Sequence, residues 1–146
     1  GEGKLKWMIL FIGISYLVSR LPKSLYDKLQ LSQNLKFYKN LAVDKFKKFS
    51  TNGDYINRKI RRDFSNHRNI RNLETVKVKL DETYVIEGSH TVLFVFCFLT
   101  NLYAFWLNSY GTAIILFIGN ILFNLYPNLL QQYNRKRYKR ILKKFQ

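Results

Sequence analysis

Cysteine is almost missing from this chain: Cys97 is the only one. A single thiol excludes an internal disulfide and any Cys-x-x-Cys metal site. It lies deep in an apolar run, where a thiolate is disfavoured, so it reads as packing rather than as a nucleophile. Acidic residues are scarce as well, nine Asp and Glu against 25 Lys and Arg, which leaves a net charge of +16. No Gly-x-Ser-x-Gly elbow occurs, so a serine acyl-enzyme has no support. No small-x-small cleavage site follows the first apolar run, which argues for a retained anchor over a cleaved signal peptide.

What is present is grease and positive charge, kept apart. Apolar residues make up 47% of the 146 and aromatics 16%. A soluble nucleic-acid binder could carry the charge, but not nearly unbroken apolar runs beside it. Segregation of the two points to a bilayer, with cations facing anionic head groups or an anionic substrate. The length suits one domain. The expectation is an all-α integral membrane protein and no nucleic-acid partner.

Taken in order, residues 5–21 form an N-terminal membrane helix built on the run Trp7–Val18 and closed before Pro22. It is short, so a span with Lys6 and Arg20 snorkelling and a re-entrant helix both fit. Residues 23–89 form a basic segment. Within it, Leu35, Tyr38, Ala42, Phe46 and Phe49 share a helical stripe flanked by lysines, the pattern of an amphipathic helix lying in the membrane surface, rings down. Asn52-Gly53 signals a turn, and Asp54 is placed to cap the helix that follows. Arg58, Arg61 and Arg62, with Lys47 and Lys48 upstream, are candidate ligands for phosphate, the guanidinium forks being the better suited. Residues 73–80 fit both a strand and a helix, and a helix running on into Glu87 is the preferred reading.

Residues 91–107 and 112–130 are apolar runs of spanning length joined by the turn Asn108-Ser109-Tyr110-Gly111. They predict a C-terminal transmembrane helical hairpin. Its turn carries no charge, whereas residues 131–146 and the middle segment are basic. The positive-inside rule then places the C-terminus in the cytoplasm, and a spanning first run makes the protein multi-pass with its N-terminus outside. Asn120, Asn124 and Asn128 recur every four residues on the return span. Glu87, His90, Asn101 and Asn108 share one face of the preceding helix. Amides in hydrocarbon need partners, so both stripes should turn inward, the deep Asn101 and Asn120 as interhelical glue and the shallower Asn124 and Asn128 as substrate contacts. Pro127 predicts a loosened turn. Glu87 and His90 sit one turn apart at the mouth of the span. They read either as a polar helix cap or as a functional pair.

Three blocks carry a family resemblance: Phe37-Tyr38 with Lys45-Phe46-Lys47-Lys48 and Asn52-Gly53-Asp54; Glu82-Thr83 with Glu87-x-x-His90; and Asn124-Leu125-Tyr126-Pro127 leading to Gln132-Tyr133-Asn134-Arg135-x-Arg137. Together they resemble the bacterial glycosyl-4,4'-diaponeurosporenoate acyltransferase family from about Phe37 onward, with Phe46 standing where a tryptophan is expected. The resemblance implies a cell-membrane enzyme moving a fatty acyl group from a thioester, acyl-CoA or an acyl carrier protein, to a hydroxyl of a lipid-linked sugar. No cofactor or metal is expected. On this reading His90 is the general base, Glu87 orients it, and Glu82 binds sugar hydroxyls or acts as a second carboxylate. Asn134 and Arg135 close the site and steady the oxyanion. Asn52 and Asp54 join the substrate contacts. The alternative is a non-catalytic protein that binds anionic lipid or scaffolds other membrane proteins.

Overall fold

The computed structural model describes residues 2–47 and 73–145. They form helices linked by short turns, with no strand among the described residues. In chain order these are α1 (Glu2–Ser19), α2 (Lys23–Lys28), α3 (Leu35–Asn40), α4 (Val43–Lys47), α5 (Leu73–Trp106), α6 (Tyr110–Asn120), a π-turn (Ile121–Leu125) and α7 (Tyr126–Lys143). The ambiguous stretch 73–80 is helix, and it runs without a break through Glu87 into the apolar run. Two helical runs are long and apolar enough to cross a membrane, Leu73–Trp106 and Tyr110–Lys143.

The chain divides into two compact units. The first comprises Gly1–Leu29 and Val85–Asn128. Here α5 ends at Trp106 and is closed by Asn108, which adopts the left-handed conformation (φ 58°). The amide of Ser109 donates to the carbonyl of Ala104 at 2.9 Å and that of Asn108 to Phe105 at 3.0 Å. This is a Schellman cap with asparagine in the place glycine usually takes. Asn108 therefore lies past the helix end, where its Oδ1 accepts from the Tyr110 hydroxyl at 2.8 Å, and it does not continue the polar face of α5 as the helical period suggested. α6 then returns antiparallel to α5. Asn101 donates to the Ala113 carbonyl, Asn120 to that of Phe94 at 3.1 Å, and Asn128 to the Thr91 hydroxyl at 3.3 Å. The π-turn sits immediately upstream of Pro127, whose ring would clash with the carbonyl of Phe123 in an unbroken α-helix. It has a second effect. Every fourth residue of an α-helix advances by about 40°, whereas a wider turn lags behind. The bulge thus keeps Asn120, Asn124 and Asn128 in one line, and all three are buried.

α1 packs along the same unit. Trp7 and Phe11 place their rings 6.0 and 6.1 Å from that of Tyr103, and Trp7 lies 6.4 Å from Trp106. Pro22 separates α1 from α2. Large apolar side chains cover the outside of the unit, among them Ile9, Ile12, Leu17, Leu102, Ile115 and Phe123.

The second unit comprises Gln30–Tyr84 and Leu129–Gln146. Tyr38, Val43, Val76 and Arg135 are fully buried in it. The Tyr38 hydroxyl approaches Gln132 Oε1 at 3.1 Å and accepts from the Ser32 amide at 3.2 Å, while Gln132 also accepts from the Leu31 amide at 3.2 Å. This corrects the reading of residues 35–49 as one helix with its rings in lipid. The chain breaks after α3, with Ala42 in the left-handed region (φ 56°), and Tyr38 faces its own unit. An amphipathic pattern looks the same whether the apolar stripe meets lipid or protein.

Candidate functional site

Glu87 and His90 lie on consecutive turns of α5 within the first unit. Glu87 is 2% exposed. An ionisable group so deeply buried is costly unless it is hydrogen-bonded or paired. The sequence offered no hint of its neighbour, Tyr26 on α2, itself 6% exposed. The Tyr26 hydroxyl would stand 3.3 Å from a Cβ added at Gly88, so it lies directly over the backbone beside Glu87. Burial, and then the Glu87 carboxylate, push the Tyr26 phenol above its ordinary value, which keeps it protonated as a donor. Only a contact between residues so far apart in the chain could reveal Tyr26. No local motif marks it.

One turn on, the Thr91 hydroxyl donates to the Glu87 carbonyl at 2.7 Å and accepts from Asn128 Nδ2. The one proton of the Thr91 hydroxyl is thereby spent. Two buried polar atoms on either side of it have no hydrogen-bond partner, His90 Nδ1 and Asn128 Oδ1. Deeper in the unit the amides satisfy each other: Asn124 donates to Asn120 Oδ1 at 2.8 Å and approaches Cys97 Sγ at 3.9 Å. Asn101 and Asn120 thus serve as interhelical links. Asn124 is committed to Asn120, while Asn128 keeps one acceptor open.

The other candidates lie in the second unit or outside the described residues. Glu82 pairs with Lys79 at 2.7 Å, a half-exposed pair one turn apart that contributes little. Arg135 stacks its guanidinium 4.7 Å over the Tyr84 ring, with the Lys139 ammonium 5.9 Å from the same ring. Asn134, next to it, is half-buried. Lys47 ends α4. Lys48, Asn52, Asp54, Arg58, Arg61 and Arg62 lie outside the described residues. Among the described residues no cluster of three His, Cys, Asp or Glu is placed to hold a metal. The basic tail carries Lys136, Lys139, Arg140 and Lys143 at one helical spacing. Burial, followed by repulsion from Arg140, Lys143 and Lys139, pushes the Lys136 ammonium down.

The chain is thus a helical protein with two helices long and apolar enough to cross a membrane, carrying a buried Glu87 one turn from a half-buried His90. Comparison with known families matches residues 22–144 to glycosyl-4,4'-diaponeurosporenoate acyltransferase, and the chain belongs to that family. No individual curated protein and no solved structure matches it.

Proposed function

We propose that the protein transfers a fatty acyl group from a thioester to a hydroxyl of a glycosylated lipid, with His90 as general base at the membrane boundary. The observation that carries this is the pair of buried, unpartnered atoms flanking Thr91. A buried polar atom without a partner costs about 1–3 kcal/mol, and a sugar carries hydroxyls enough for both, one donating its proton to the imidazole nitrogen and a second donating to the amide oxygen. His90 Nδ1 and Asn128 Oδ1 are the groups such an acceptor needs.

Length supports the depth. The 34 residues of α5 extend about 51 Å, against a hydrocarbon core of about 30 Å. Counting about 20 spanning residues back from Trp106 ends near Glu87, so the pair meets both a water-borne donor and a lipid-borne alcohol. α1 runs antiparallel to α5, with Trp7 beside Trp106, and α2 sets Tyr26 over Gly88, which supports α1 as a third span. The basic tail then faces the cytoplasm of the bacterial inner membrane.

In the reaction the hydroxyl oxygen bonds to the acyl carbon as its proton passes to His90. The carbon–sulfur bond breaks, and His90 returns the proton to the departing thiolate. Glu87, one turn back, orients the ring and stabilises its cation, much as a carboxylate does in a triad. Base catalysis of this kind contributes about 10²–10⁴ in rate. The arginines at 58, 61 and 62, with Lys47 and Lys48, are assigned to the phosphates of the donor. The test is lipid profiling by mass spectrometry of cells making the wild type, His90→Ala or Glu87→Gln. The acylated glycolipid should appear with the wild type and vanish with both variants while folded protein persists in detergent. Full product from His90→Ala would overturn the assignment.

A further inference from the structure

We infer that Tyr26 is a positioning residue for the reaction, fixing the Glu87 carboxylate through its phenol, and that residue 88 is glycine because that contact needs the space. The inference rests on the reading of Glu87 and His90 given above. Three observations carry it. Tyr26 and Glu87 are both almost wholly buried, at 6% and 2% exposure. The Tyr26 hydroxyl and ring carbon Cζ lie 3.3 and 3.8 Å from the place a Cβ would take at residue 88. The other glycines described have nothing within 4 Å of that place. The crowding at Gly88 is therefore specific to the phenol, and the hydroxyl oxygen is its tightest point.

A buried carboxylate holds its orientation only while its oxygens have donors. Tyr26 supplies one from α2, the short helix that follows Pro22. The coupling explains why α2 is brought against α5 at this turn. It also puts the N-terminal third of the chain to work in a site whose sequence motif lies near its middle. Burial, and then the Glu87 carboxylate, raise the Tyr26 phenol, so its proton stays on the phenol oxygen, where it can be donated.

The geometry gives a double-mutant test. Tyr26→Phe removes the oxygen and leaves the ring. Gly88→Ala places a methyl 3.3 Å from that oxygen in the wild type, but meets no oxygen in the Tyr26→Phe background. The variants are purified in detergent with glycolipid acceptor and an acyl-thioester donor, and their thermal midpoints are recorded alongside kcat and KM. Tyr26→Phe is expected to lower kcat about tenfold or more, as misplacement of a catalytic group does, with KM for the donor unchanged. Gly88→Ala is expected to lower kcat similarly by itself and to have little further effect on Tyr26→Phe. Wild-type kcat in Tyr26→Phe, or the same loss from Gly88→Ala in both backgrounds, overturns the proposal. A matching drop in thermal midpoint with kcat per folded molecule intact also overturns it, since the contact would then only hold the fold. His90→Ala run in parallel separates the two readings. Its retention of activity removes the site itself, whereas an inactive His90→Ala beside a fully active Tyr26→Phe removes only the role of Tyr26.

Discussion

The amides of the first unit differ in how completely they are satisfied. Asn101 and Asn120 donate to main-chain carbonyls of the facing helix. Such links are worth on the order of 1 kcal/mol in a membrane. Asn128 holds Thr91 with its nitrogen and leaves its oxygen open. Asn101→Leu is therefore expected to cost about 1 kcal/mol of stability while its folded fraction stays active. Asn128→Leu removes an unsatisfied buried oxygen along with one long hydrogen bond, so its stability should stay within about 0.5 kcal/mol of wild type while product falls. Detergent melting and product assay on both variants check the contrast, and the opposite pattern would mean that Asn128 is glue as well. The four-residue repeat made these asparagines visible in the sequence, and their inward turn followed from the cost of bare amides in lipid. Which oxygen would be left over was not legible, because it depends on Thr91 spending its one proton on the Glu87 carbonyl.

Among the elements, the two long helices were legible because a span needs a long apolar run that few other demands produce. Their interruptions were less so. Pro127 announced a defect, yet the wider turn lies at Ile121–Leu125, one turn earlier, because the ring obstructs the carbonyl four residues back. The face shared by Glu87, His90 and Asn101 seemed to continue to Asn108 only because a helical period can be counted beyond the helix. At that position the left-handed backbone decides, and asparagine is the residue other than glycine that most readily accepts it. Asn108→Gly should hold or raise stability by a few tenths of a kcal/mol, whereas Asn108→Val should cost about 1–2 kcal/mol, since a β-branched side chain fits φ 58° badly. Thermal melting checks both signs. The misread stripe around Tyr38 has the same root: periodicity gives the face a helix buries, and Gln132, distant in sequence, decides what that face meets.

At the scale of the whole molecule, the placement of α1 decides how often the chain crosses the membrane, and composition leaves it open. Its apolar run is short and has lysines at one end and Arg20 at the other. Arg20 turns its guanidinium back over the Tyr16 ring, 5.1 Å from the centroid, as a cation does when it keeps to an interface while its helix stays in grease. The rings of Trp7 and Phe11 on α1 meet Tyr103 near the far end of α5, while Tyr26, on the α2 helix that follows Pro22, sits over Gly88. The 18 residues of α1 rise about 27 Å, close to the hydrocarbon thickness of about 30 Å. The two termini should then lie on opposite sides of the membrane. Cysteines placed singly at Gly3 and at Lys144, with Cys97→Ala as background, test this by labelling intact cells with a membrane-impermeant maleimide. The residue 3 thiol should label from outside and the residue 144 thiol only after the membrane is opened. Labelling of both from the same side would return α1 to a re-entrant path, and it would separate the short helix that carries Tyr26 from the depth at which Glu87 is held.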